Sequence, residues 1–298
     1  MNEKRRYQYY VLDVFTKTRL EGNPLAVFPS ASGIDDGEMQ RIAGELNLSE
    51  TVFLRDATAP GAIASARIFT PRRELPFAGH PTIGAAYVLS LGKANNGPFA
   101  IEERVGLVPI ESDDDARVRR FWLMTPQIAF FETVDYAFCA RLLNLSPDDL
   151  VTSAPPQFVS AGSPLLCICL ATPDAVDRAE LQEAYLPEAL GSVNSVATFV
   201  FARKNPHSST NFDVYSRMFA PQTGIREDPA TGGATGPLAA FMLANGLLPR
   251  KDGVEFTSHQ GYKMGRPSQL HVRVGANGAT IQVGGSAVLL AEATMFLN

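Results

Sequence analysis

Cysteine is scarce in this chain, with only Cys139, Cys167 and Cys169 among 298 residues. An odd count without framework spacing excludes a disulfide scaffold and suits a reducing compartment. There is no basic excess: 26 basic against 31 acidic residues leave a net charge of −5, and Lys4-Arg5-Arg6 is the one notable basic cluster. Nucleic acid is therefore not an expected partner. No long apolar run spans a membrane either. The charge-free stretch from Ser153 to Pro173 is broken by prolines at 155, 156 and 164, and Asp13 interrupts any signal-like run at the N-terminus. A cytoplasmic protein is expected.

Motifs for heavier chemistry are missing as well. His80, His207, His259 and His271 show no ligand spacing with each other or with the cysteines, so no metal is expected. No Gly-x-Gly-x-x-Gly follows a strand, no Gly-x-Ser-x-Gly elbow occurs, and Gly232-Gly233-Ala234-Thr235-Gly236 lacks the lysine of a phosphate loop. Chemistry is left to ordinary acid–base side chains. What remains is a globular composition, 45% hydrophobic and 19% charged, in a length suited to two domains.

The chain repeats itself. Arg67-Ile68-Phe69-Thr70-Pro71 returns as Arg217-Met218-Phe219-Ala220-Pro221, His80-Pro81-x-x-Gly84 as Asp228-Pro229-x-x-Gly232, and Gly22-x-Pro24-Leu25 as Gly162-x-Pro164-Leu165. Three echoes in one order indicate a duplication; a shared use of Phe-x-Pro turns is the plainer alternative. Strands are expected at Tyr7–Phe15, Leu25–Phe28, Thr51–Leu54, Ala66–Phe69, Glu103–Ile110, Phe121–Met124, His271–Val274 and Ala279–Val283. A helix is expected from Asp35 to Leu46, with Asp35 and Glu38 as a capping pair. The segments after His80-Pro81 and from Ala234 to Gly246 are uncharged all round and read as buried helices. A curled sheet around one central helix, built twice, is the simplest packing. The turn expected at Ser112-Asp113-Asp114-Asp115 places the boundary near residues 112–120, giving domains 1–118 and 119–286.

Proline after His80 and after Asp228 suits the start of a helix, and glycines at 232 and 233 let a ligand approach the backbone. Such a terminus seats a carboxylate or phosphate. An imidazole at one start and a carboxylate at the other suit directional proton transfer. Structural capping is the competing reading for both residues. Glu50, between a helix and a strand, reads on composition alone as a solvated carboxylate, and Cys167 and Cys169 read as core thiols.

The motifs Glu21-Gly22-Asn23-Pro24-Leu25-Ala26-Val27-Phe28, Asn47-Leu48-Ser49-Glu50-Thr51, Arg67 to Thr82, Glu227-Asp228-Pro229-Ala230-Thr231-Gly232 and Gln260-Gly261-x-x-Met264-Gly265-Arg266-Pro267-Ser268 resemble the PhzF-like phenazine-biosynthesis family. The resemblance implies an α+β, diaminopimelate-epimerase-like fold. Two pseudo-symmetric domains would each roll a mostly antiparallel sheet around a central helix, with residues 287–298 returning to complete the first. It implies a homodimer that needs no cofactor and binds a small carboxylate substrate between its domains. The family's known isomerase moves a proton between ring carbons of trans-2,3-dihydro-3-hydroxyanthranilate. Its catalytic glutamate, histidine and aspartate fall on Glu50, His80 and Asp228. Gly79, Thr231, Gly232 and Gly233 would bind the substrate. One position departs: Gly233 stands where the phenazine enzyme has serine, removing a hydroxyl but keeping the backbone N–H. None of the three cysteines lies at a helix start, which disfavours a two-thiol racemase. The rival expectations are a non-catalytic protein that keeps the cleft for a ligand or partner, and a hydrolase or lyase acting through Asp228.

Overall fold

In the computed structural model, which describes residues 5–92, 97–115, 118–186 and 197–297, the first helix α1 (Asp36–Leu46) starts where the sequence signals it. Asp35 is extended and accepts the Glu38 N–H, while Glu38 reaches back to the Asp35 N–H. Such a cap stabilises a helix by about 1 kcal/mol. Asn47 ends it in a left-handed conformation. The buried face, Met39, Ile42 and Ala43, packs on a stack formed by Tyr9, Phe28 and Phe53, with Phe69 edge-on. Each large side chain buried there contributes about 1.5–3 kcal/mol.

The chain divides into two compact units, Met1–Leu123 with Gly284–Asn298, and Met124–Val283. The first holds β1 (Arg5–Val14), β2 (Asn23–Phe28), β3 (Glu50–Arg55), β4 (Ala62–Phe69), β5 (Glu74–Leu75), β6 (Phe99–Glu103), β7 (Gly106–Asp115) and most of β8 (Val118–Met124). The neighbours β1–β2, β3–β4, β4–β5, β6–β7 and β7–β8 are antiparallel, and β2–β3 and β4–β6 are parallel. The final strand, β18 (Ala287–Leu297), pairs antiparallel along the whole of β1.

The second unit holds β9 (Ala129–Thr133), β10 (Gln157–Ser160), β11 (Pro164–Cys169), β12 (Ala197–Arg203), β13 (Val214–Ala220), β14 (Ile225–Asp228), β15 (Val254–Gln260), β16 (Ser268–Gly275) and most of β17 (Thr280–Gly285). From β10 onward its strand senses repeat those of the first unit from β1. β10–β11 is antiparallel, β11–β12 parallel, β12–β13 and β13–β14 antiparallel, β13–β15 parallel and β15–β16 antiparallel. The short helices α3 (Tyr136–Leu142) and α4 (Pro173–Arg178) cover one face of this sheet.

Each sheet packs its other face on a helix apolar on every side. In the first unit α2 (Gly79–Ser90) lies against β1, β2, β3, β4 and β18 and is buried from Gly79 through Ala86. Contact is so close at Gly84 that an added Cβ would stand 2.2 Å from a Leu25 methyl. In the second unit α5 (Gly232–Ala244) packs on β10, β11 and β16, and its core includes Cys167 and Cys169. Burial pushes both thiols well above the ordinary range, as core thiols require. No helix among the described residues is long and apolar enough to cross a membrane.

Two local expectations are corrected. The strand expected over Glu103–Ile110 is a hairpin: β6 ends at Glu103 and β7 begins at Gly106, whose φ of +110° turns the chain. The β-prone residues Val105, Leu107, Val108 and Ile110 lie on both sides of that turn and hid it. Ser112 to Asp115 is likewise strand rather than turn. Asp113 and Asp114 face Arg120 and Arg119 across the β7–β8 hairpin and pair with them, so the acidic run is neutralised by a basic run.

Candidate active site

Asn47 closes α1 in a left-handed turn, and three residues later Glu50 opens β3. Glu50 faces Leu25 in the parallel β2–β3 pair, which brings the beginnings of both strands together. His80 is the second residue of α2 and is buried, with 6% of its surface exposed. Its Nε2 stands 3.2 Å from Glu50 Oε2, off the line of an ideal hydrogen bond, and its Nδ1 stands 3.4 Å from Asn23 Nδ2. Burial lowers the His80 pKa to about 3, so the ring is neutral at physiological pH. Gly79 is buried beside it.

The second helix start is assembled differently. Asp228 ends β14, largely buried, and its Oδ2 accepts the Thr231 hydroxyl. Fully buried Gln260 ties the turn together. Its amide donates to Asp228 O at 2.7 Å and to Thr231 Oγ1 at 3.0 Å, and its carbonyl accepts the Thr231 N–H at 3.2 Å. Helix α5 then begins at Gly232, where the first N–H groups have no intrahelical acceptor. Gly233 is exposed, and an added Cβ there would meet nothing within 4 Å.

Neither His80 nor Asp228 caps its helix. The cap positions are Ala78 and Thr231, and neither supplies a side-chain capping bond. Nor do the His-Pro and Asp-Pro pairs occupy matching places, as the sequence echo implied. Arg67 clasps Glu74 seven residues on through two bonds, of 2.6 and 2.9 Å. Arg217 clasps Glu227 ten residues on, with both bonds 2.9 Å. The longer second connection shifts everything after it. Helix residues then correspond by distance from the caps, as Thr82 and Thr235 show by bonding back to Ala78 O and Thr231 O. On this register Gly233 is the counterpart of His80. Strand pairing matches Glu50 with Ala197, since each lies opposite the Leu25 or Leu165 of its own unit.

Two residues with no assigned role emerge from the same register. Asn23 precedes β2 residue Pro24 and touches His80. Glu103 corresponds to Gln260, because Glu102 and His259 lie opposite Ser65 and Tyr215 in the β4–β6 and β13–β15 pairs. The Thr82 hydroxyl lies 2.8 Å from Ala78 O and 2.6 Å from Glu103 Oε1. Both oxygens lie within reach of the one Thr82 hydroxyl hydrogen. Burial raises the Glu103 pKa to about 8, against the opposing pull of the Thr82 hydroxyl. Among the described residues, no three His, Cys, Asp or Glu side chains cluster as a metal site requires.

Residues 12–293 match the model of the PhzC-PhzF family, described as phenazine biosynthesis-like protein. An uncharacterised isomerase of Mesorhizobium japonicum is 35% identical, over 97% of this chain and 98% of its own. The trans-2,3-dihydro-3-hydroxyanthranilate isomerase of Pseudomonas aeruginosa is 30% identical, over 98% and 100%. The crystal structure of a PhzF-family phenazine biosynthesis protein from Bacillus anthracis superposes with a TM-score of 0.88 at 23% identity, covering 98% of this chain and 99% of that one. The chain therefore belongs to the phenazine biosynthesis-like PhzC-PhzF family, with its α+β fold. It is an isomerase of that family.

Proposed function

We propose that this isomerase moves a proton between carbons of a small carboxylate substrate, using Glu50 as the group that takes and returns it. Its C–H bond breaks as an O–H bond forms on Glu50, and the electron pair enters the substrate's conjugated system. Glu50 then delivers the proton to a second carbon, so mass is conserved. His80 stays neutral and orients Glu50. Asp228, braced by Thr231, orients the substrate by accepting from its polar hydrogens, and the backbone N–H groups of Gly79, Gly232 and Gly233 hold the substrate carboxylate.

The observation that carries this reading is the contact between buried, neutral His80 and Glu50. Support also comes from the second unit. It builds the same scaffold with Gly233 and Ala197 at the matching positions, so the fold does not require an imidazole–carboxylate pair there. The open space at Gly233 leaves room for a substrate group where the phenazine enzyme carries serine. We read the repeated strand order as a duplication.

Glu50→Gln tests the assignment. The variant is expected to keep the wild-type circular dichroism and melting temperature and to lose about 10²–10⁴-fold in turnover. An active Glu50→Gln protein would overturn it, and a product of changed mass would replace isomerisation by hydrolysis or lysis.

A further inference from the structure

We infer that Asn23 is a positioning residue that fixes the tautomer of His80 and so aims an N–H at Glu50. The inference rests on the function proposed above but makes a claim about the ring that stands by itself. A neutral imidazole has one N–H and one lone pair. The Asn23 atom facing Nδ1 is the amide nitrogen, which carries only hydrogens. Nδ1 must therefore present its lone pair, and the ring proton sits on Nε2, the atom 3.2 Å from Glu50 Oε2. The Nε2–H then faces Glu50 Oε2, a carboxylate oxygen that can only accept. Histidine gives up no proton at any stage: the hydrogen moves from carbon to the Glu50 carboxylate and back to carbon.

Position supports the assignment. Asn23 is fully buried at the start of β2, after Gly22 at φ +67°, where an added Cβ would stand 2.3 Å from Val14 O. The side chain has little freedom to release the ring. The corresponding place in the second unit, before Pro164, is Ser163, and there the residue matching His80 is a glycine. Amide and imidazole are thus present together in one unit and absent together in the other.

The test is ¹⁵N NMR of the histidine-labelled protein, with the His80 signals assigned by their loss in His80→Gln. The wild-type ring is expected to show a pyridine-type Nδ1 and a protonated Nε2 at neutral pH. In Asn23→Asp the new carboxylate can only accept, so the proton is expected to appear on Nδ1. Proton transfer should then slow by about 10–100-fold in kcat with KM unchanged. A wild-type ring protonated on Nδ1 would overturn the inference without any substrate in hand. So would an Asn23→Asp protein with wild-type nitrogen signals and kcat. Failure of the wild-type protein to exchange any carbon-bound proton would instead count against the proposed function, and the nitrogen signals would still decide the role of Asn23.

Discussion

The two units solve the same structural problem with the same parts and then part company at their helix starts. In each, an arginine, on β4 in one and β13 in the other, lies over a phenylalanine two residues on, 5.2 Å from the ring for Arg67 and Phe69 and 4.7 Å for Arg217 and Phe219. In each it clasps a glutamate on the short strand leading to the central helix. In each, a threonine four residues past the cap bonds back to the cap carbonyl. The differences lie where a ligand would be handled. The first start carries His80, Glu50 and Asn23; the second carries Asp228, braced by Thr231 and Gln260 and opened at Gly233. Parts that position a helix start are repeated, and the groups displayed there have diverged.

The largest effect expected from breaking this likeness is at the arginines. Arg217 is buried and also donates to the carbonyls of Val176, Asp177 and Ala179, so Arg217→Ala leaves Glu227 and three carbonyls short of a donor. A loss of about 3–5 kcal/mol in denaturant unfolding is expected. Arg67→Ala should cost roughly 1–2 kcal/mol, because Glu74 keeps Arg104. Equal losses would show that the two clasps are not differently buried versions of one device.

Next comes Glu103, the carboxyl standing where the second unit has the amide of Gln260. Its pKa in the folded chain is raised to about 8 by burial. Stability from its neutral form is therefore complete below about pH 4.5, the usual glutamate range, and is lost as pH rises through 8. Glu103→Gln, which installs the second unit's amide, should remove that slope. Its gain over wild type should grow to the order of 3 kcal/mol by pH 9 in melts run across the range. A gain independent of pH would mean that Glu103 is already ionised in the fold. The smallest effect is expected at Gly233. Because an added Cβ meets no neighbour there, Gly233→Ser should change stability by less than about 0.5 kcal/mol while altering substrate preference. A larger loss of stability would close the space ascribed to the substrate.

Much of the scaffold was legible in the sequence because it rests on local or periodic signals. The Asp35–Glu38 capping box, the uncharged central helices and the Arg-x-Phe-x-Pro echo all correspond to observed features. The matching of His80 with Asp228 failed for a definite reason. Proline marks a bend as readily as a helix start, and the longer Arg217–Glu227 connection moves Asp228 onto the end of a strand. Glu50 came from family resemblance alone, since nothing local in Asn47-Leu48-Ser49-Glu50-Thr51 distinguishes it from a surface acid. Its contact with His80, thirty residues on, depends on the parallel β2–β3 pairing. Asn23, Glu103 and Gln260 gained roles only once strand register placed them beside the helix starts.

Solvent-deuterium exchange puts the proton-transfer account to its most direct test. Wild type, Glu50→Gln and Asp228→Asn would be incubated in D₂O with small unsaturated carboxylic acids and followed by proton NMR. The account predicts deuterium at a substrate carbon with wild type, none with Glu50→Gln, and slower incorporation with Asp228→Asn as the acceptor that orients the substrate is weakened. Undiminished incorporation by Glu50→Gln would contradict it.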